Sequence, residues 1–143
     1  MLAILNRLAG RPGKREDGQS LVEFALVVPI FLLVLFSIVD FGMAFHAWIT
    51  VTNSAREGAR VGAVRASSAD IEQRVRDTAT SLDQANLSVG ITNAGGLPGE
   101  SVVVDVSYDY SLMTPLADLL NMVSGGTIPA TLNLGSTADM RLE

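Results

Sequence analysis

The chain contains no cysteine, which excludes disulfides and thiolate metal sites outright. A small domain without such bridges relies on its core, on an anchoring helix or on neighbouring subunits. Histidine occurs once, at His46, beside the end of a long apolar run, where a role at a membrane interface is a simpler reading than acid–base chemistry. No phosphate loop, serine elbow or H-E-x-x-H is present, and the G-A-R-V-G stretch has neither the lysine nor the preceding strand that a P-loop needs. Asp105 and Asp109 stand four apart in a strand-like segment, on one face but not adjacent, which suits a solvent-facing row. The expectation is therefore a protein that is not an enzyme, with no catalytic residues, no cofactor and no metal.

Positive charge is scarce past the middle of the chain. Residues 81 to 143 hold seven acids and one base, Arg141. Residues 1 to 18 instead carry Arg7, Arg11, Lys14 and Arg15 against Glu16 and Asp17. A basic segment beside an apolar run is retained on the cytoplasmic side, so the acidic part is the one translocated. An acidic exported domain repels phosphates, which argues against nucleic acid as a partner.

What the chain has in excess is hydrophobicity, and it is concentrated. From Phe24 to Phe45 the only ionisable residue is Asp40, and at ~1.5 Å per residue the run covers roughly 33 Å, enough for a bilayer core. Pro29 removes a backbone donor inside it and invites a kink. The run is too long for a secretory signal and lacks an A-x-A-like exit; its glycine comes before it instead. The reading is a basic cytoplasmic leader over 1–18, with a short helical turn over 1–8, a transmembrane helix over 19–45 and an extracytoplasmic domain over 46–143.

Beyond the membrane the helix continues to about Ala66, with apolar spacing through Trp48, Val51, Ala55, Ala59 and Gly62. Gly58 and Gly62 form a G-x-x-x-G flanked by alanines, a surface that admits another backbone closely. Either another subunit or the chain's own sheet can fill it. Ser67 and Asp70 form a capping box for a second helix striped by Ile71, Val75, Ala79 and Leu82, with Asp70–Arg74 and Glu72–Arg76 as solvated pairs. LSVGIT reads as a strand, NAGGLPG as a turn and SVVVDVSYDYS as a half-buried strand with Val102, Val104, Val106, Tyr108 and Tyr110 on one face. TPLADLLNMV is a short helix or turn. IPATLNLGSTADMRLE is a last strand, with Pro129 favouring an edge or a strand start. The fold class is α+β: a transmembrane helix running on into a long helix, a second amphipathic helix, and a small antiparallel sheet of about three strands. Such a sheet needs a helix against its apolar face.

Two acids border or interrupt the apolar run. Glu23 at its entry favours the helix dipole there, or has a function that offsets the cost of a carboxylate near lipid. Asp40 lies roughly 8 Å inside the outer end. It is solvated at the interface, or it meets a neighbouring subunit's Arg56 or Arg60, which are too far along one helix for a direct contact.

Gly18-Gln19-Ser20-Leu21-Val22-Glu23-Phe24, between the basic leader and the apolar helix, resembles the prepilin signal of type IV pilin-like proteins. That resemblance implies cleavage by a prepilin peptidase between Gly18 and Gln19. It also implies that Glu23, fifth in the mature chain, pairs with the freed amine of a neighbouring subunit. Gln19 departs from the phenylalanine of many major pilins and points to the Tad/Flp branch. The block VEFALVVPIFLLVLFSIVDFGMAFHAWITVTNSAREGARVGAV is similar to TadE-like proteins of the tight-adherence pilus system: an acid, an apolar helix with an internal proline, an acid before Phe-Gly, then N-S-A-R-E-G-A-R. The valine-rich strand, the aromatic pair, T-P-L and the final strand extend the likeness over residues 18 to 142. The resemblance implies a minor pilin or pseudopilin of the bacterial inner membrane, with other pilins and an assembly platform as partners. Glu23, Asp40, Gly58 and Gly62 are then the candidates for subunit assembly. The alternatives are an uncleaved membrane protein with a sensory or ligand-binding ectodomain, and an envelope hydrolase if His46 shares a pocket with Asp105 or Asp109.

Overall fold

The computed structural model describes residues 16–126 and 129–143. Most of the basic leader, including the turn expected over 1–8, lies outside the described residues. The chain is α+β, in the order α1 (Glu16–Ala63), α2 (Ser68–Thr78), β1 (Leu87–Thr92), β2 (Ser101–Ser111), α3 (Leu116–Ser124) and β3 (Thr131–Arg141). It divides into two compact units, one ending at Leu35 and one spanning Phe36–Glu143. In the first, the described residues form helix alone, and α1 passes through Pro29 without interruption. Leu21, Phe24, Leu26, Ile30 and Phe31 are exposed there, as suits a helix whose solvent is lipid. The second unit begins at Phe36, within the apolar run.

Within the second unit α1 is the backing of the sheet. Its buried positions are Asp40, Ala44, Ala47, Val51, Ser54, Ala55, Gly58, Ala59 and Gly62, a seam stepping by threes and fours. The phase differs by one residue from expectation near the start, because Ala47 points inward and Trp48 is 44% exposed. The Ser54 hydroxyl is satisfied by donating to the Val51 carbonyl at 2.8 Å. Because the seam is made of small side chains, the bulk of the core comes from the other elements: Ile71 and Val75 of α2 and Val102, Val104 and Val106 of β2. Each such burial is favourable by about 1.5–3 kcal/mol.

Gly58 and Gly62 show how close this approach is. A Cβ at 58 would lie 2.5 Å from Val75 Cγ2, and one at 62 would lie 2.9 Å from Val102 Cγ1. The small-residue surface left open between another subunit and the same chain is therefore filled, at both glycines, by the chain's own α2 and β2.

α1 stops at Ala63, three residues before the expected end. Arg65 takes a positive φ of 60°, its N–H bonds the Gly62 carbonyl at 2.9 Å, and the Glu143 N–H bonds the Ala63 carbonyl at 3.0 Å. Arg65 Nε in turn donates to the Glu143 carbonyl at 2.9 Å. Of the carbonyls that the helix end leaves open, that of Gly62 is thus met locally by Arg65 and that of Ala63 by Glu143. α2 opens on the expected capping box: Ser67 Oγ accepts from the Asp70 N–H at 3.2 Å and donates to Asp70 Oδ2 at 2.7 Å. With Asp70 so engaged, Arg74 does not follow the expected pairing; it bonds Glu57 of α1 at 3.2 Å, a carboxylate that also holds Arg60 at 3.2 Å. Glu72 and Arg76 pair at 2.8 Å, as expected.

The sheet is antiparallel in the order β1-β2-β3. Val102, Val104, Val106 and Tyr110 of the central strand are buried, while Asp105 and Asp109 lie on the exposed face. There the Thr137 hydroxyl donates to Asp105, and Asn133 Nδ2 donates to Asp109 at 2.7 Å. These are register partners across β2 and β3. β3 is an edge strand, with Pro129 just before its start. In the β1–β2 turn, Glu100 accepts from Asn93 Nδ2 at 3.1 Å and from the Leu97 N–H at 2.9 Å.

Gly58→Ala gains helix propensity of ~1 kcal/mol but drives a methyl group against the stiff, β-branched Val75, an overpacking that costs about 1–3 kcal/mol. A lowered thermal midpoint in detergent is expected, and an unchanged or raised midpoint would refute so tight a contact.

Acid should also weaken the fold. The Arg74 hydrogen bond, opposed by partial burial and aided by Arg60, holds the Glu57 carboxyl below its usual 4.5. The Asn93 and Leu97 hydrogen bonds do the same for Glu100. A carboxylate with a depressed folded-state pKa adds stability above its unfolded value and loses it as pH falls through the folded one. Stability measured against pH should therefore decline below about 4.5, and the decline should be shallower in Glu57→Gln.

Candidate functional site

Asp40 is the one ionisable residue of the apolar run, and it is 1% exposed. Its partners are the chain's own. Oδ1 accepts from the N–H groups of Met113 at 2.9 Å and Thr114 at 3.2 Å, and Oδ2 accepts from the Thr114 hydroxyl. The Tyr110 hydroxyl donates to the Asp40 carbonyl at 3.4 Å. Neither interface solvation nor a neighbour's arginine, the two expectations for this residue, describes its surroundings. Three donors reach the carboxylate from the turn between β2 and α3, and charge-assisted bonds of this kind are what make a buried acid tolerable.

Thr114 is the hinge of the arrangement. While it donates to Asp40, its Oγ1 accepts from the Leu116 N–H at 3.3 Å, so one hydroxyl both binds the acid and closes the turn that opens α3. Pro115 then stands at the N-terminal boundary of that helix. The two fragments D-F-G and T-P-L, separated by more than seventy residues, meet here. Burial, followed by the charge of Asp40 and by Tyr108, raises the pKa of the Tyr110 phenol, which keeps it a neutral donor at ordinary pH.

Sequence reasoning did not assign Thr114, Met113 or Tyr110 to this junction. The available signal was the Thr-Pro pair at the start of a helical pattern, which marks a hydroxyl-closed turn. Two of the three donors are backbone N–H groups, which no residue type announces. Beside the carboxylate lies an apolar cavity of about 170 Å³ lined by Ser37, Phe41, Leu112, Leu116, Leu120 and Pro129, among others. The junction supplies hydrogen bonds and shape, and holds α1 to the β2–α3 turn.

The other predicted residues are not gathered here. Gly18, Gln19 and Glu23 follow one another near the start of α1, where Gln19 Nε2 donates to Glu23 Oε1 at 2.9 Å and the space around Gly18 is open. Gly58 and Gly62 are in the core. His46 is exposed, its carbonyl accepting from the Thr50 hydroxyl at 3.0 Å, and Asp105 and Asp109 lie on the exposed face of the sheet. Among the described residues, no three His, Asp or Glu side chains are grouped to hold a metal ion.

Asp40→Ala should strand two part-buried N–H groups and a hydroxyl, at a cost of about 3 kcal/mol. Asp40→Asn keeps an acceptor for the N–H groups and should lose roughly half of that. Denaturant unfolding in detergent checks both, and equal effects of the two substitutions would contradict the hydrogen-bonding account.

Residues 18–60 match the family described as TadE-like protein. No curated protein and no solved structure matches the chain. The match includes Gly18, Gln19, Glu23, Asp40 and Gly58 and stops short of Gly62, Thr114 and the sheet, so the likeness expected over residues 18 to 142 is found in its N-terminal block. Over that block the chain is similar to TadE-like proteins, and its apolar helix fits it for anchoring in a membrane.

Proposed function

We propose that this chain is a minor pilin or pseudopilin of a Tad pilus assembly system, anchored in the bacterial inner membrane with residues 46–143 forming an extracytoplasmic domain, and cut by a prepilin peptidase between Gly18 and Gln19. The observation that carries the proposal is the match over residues 18–60, which begins at the glycine that stands five residues before Glu23 and directly ahead of the apolar helix. Glu23 is exposed, and the partner it takes within the chain is the neutral amide of Gln19. An exposed carboxylate at the entry of a lipid-facing helix gains most from a cation supplied by a neighbour, and cleavage creates one, the amine of residue 19. The basic residues of the leader support the cytoplasmic placement of the N-terminus.

The open space at Gly18 makes it a clean test position, since a Cβ there has no atom within 4 Å. Gly18→Phe should block processing, seen by intact mass as retention of residues 1 to 18, and should abolish surface pili. Glu23→Ala should be processed yet yield few pili. Normal pili with Glu23→Ala would remove the acid from the mechanism. Full function of an uncut Gly18→Phe chain would favour an uncleaved anchored ectodomain instead.

A further inference from the structure

The second unit carries an apolar surface that the pilus reading leaves unused. On α1, Ile38, Phe41 and Phe45 are exposed; in the β2–α3 turn Met113 is 69% exposed, and on α3 Met122 is 80% exposed. The charge on α3 is the single Asp118, in its first turn. The apolar cavity beside Asp40 is walled by the same three pieces of chain, through Phe41, Leu112, Leu116 and Leu120.

Depth decides what covers this surface. Asp40 lies within the span Phe24–Phe45, roughly 8 Å inside its outer end. The turn bonded to the Asp40 carboxylate, Met113 and Thr114, must lie at the same level. Irregular backbone is excluded from a bilayer unless its polar groups are satisfied within the protein. Here the donors are satisfied: the two N–H groups of the turn end on Asp40, and the Leu116 N–H that opens α3 ends on Thr114 Oγ1. An acid in an apolar span and a polar turn at membrane depth, each costly alone, satisfy one another.

From this we infer that the β2–α3 turn and α3 rest in the leaflet on the domain's side, with Met113, Met122, Phe41 and Phe45 against acyl chains and the cavity beside Asp40 open to them. The occupant is lipid, because Ile38, Phe41 and Phe45 of this surface are themselves residues of the apolar span Phe24–Phe45, whose one ionisable residue, Asp40, is buried. In water the same side chains would forgo burial. The inference rests on the membrane-anchored reading and is independent of the pilus assignment.

The absence of cysteine allows single labels without background. Met113→Cys, Met122→Cys, Phe31→Cys in the anchor and Leu97→Cys, an exposed apolar site in the β1–β2 turn, are each placed in the full chain and labelled with a nitroxide in phosphatidylethanolamine–phosphatidylglycerol vesicles. Positions 113 and 122 should relax with dissolved oxygen more than with a water-soluble nickel chelate, as position 31 does, and position 97 should show the reverse. If 113 and 122 follow 97 while 31 follows oxygen, the inference is overturned and the anchor stands. If 31 also follows the chelate, both fall. Shielding of 113 and 122 from both relaxants would mean that another protein copy covers the surface, which likewise overturns it. Phe45→Cys reads the same surface from α1 should a label in the turn disturb the fold; it should follow oxygen, and following the chelate would overturn the inference.

Discussion

A carboxylate in an apolar helix must be given donors or be left out of the membrane, and in this chain the rest of the second unit follows from how that demand is met. Asp40 receives two N–H groups and a hydroxyl from one turn. That turn ends β2 and begins α3, so satisfying the acid fixes where the central strand ends alongside α1. The Tyr110 hydroxyl on the Asp40 carbonyl makes a second tie one step back along the strand. The bonds are local in space and remote in sequence, which is what lets a single side chain set the register between helix and sheet.

The seam above Asp40 carries the same logic in apolar form. Alanines and glycines on α1 contribute little burial of their own; their value is that they let Val75, Ile71 and Val102 come within contact of the helix backbone. The core is therefore asymmetric, with size supplied by α2 and β2 and closeness supplied by α1. Glu57 then links α1 to α2 at the edge of the core through Arg74, an exposed pair whose worth is small beside the packing below it. A helix that anchors in lipid at one end and backs a sheet at the other needs different surfaces along its length, and the change from exposed large side chains to a small-residue seam provides them.

Much of the fold was legible because it is written in periods. Alternation along residues 101 to 111 placed the buried valines of β2, and Ser67 with Asp70 marked the start of α2, since both signals depend on neighbours within a few residues. The misreadings share a cause. Arg74 left Asp70 for Glu57, the small-residue face at Gly58 and Gly62 was taken by the chain's own α2 and β2, and α1 ended early because Arg65 and Glu143 meet. In each case the deciding partner lies well outside the window over which a sequence pattern speaks.

The candidate site divides along the same line. By itself the sequence determined that there is an anchor, that an acid stands at its entry after Gly18 and a second inside it at Asp40, and that no thiol or histidine cluster offers chemistry, because composition and local spacing are properties of the chain. Only the tertiary structure decided that Asp40 is satisfied from within, that Thr114 is its partner and that Gly58 and Gly62 face inward. Hydrogen bonds to backbone N–H groups carry no residue signature, and whether a small side chain faces its own fold or another subunit depends on which element arrives to cover it.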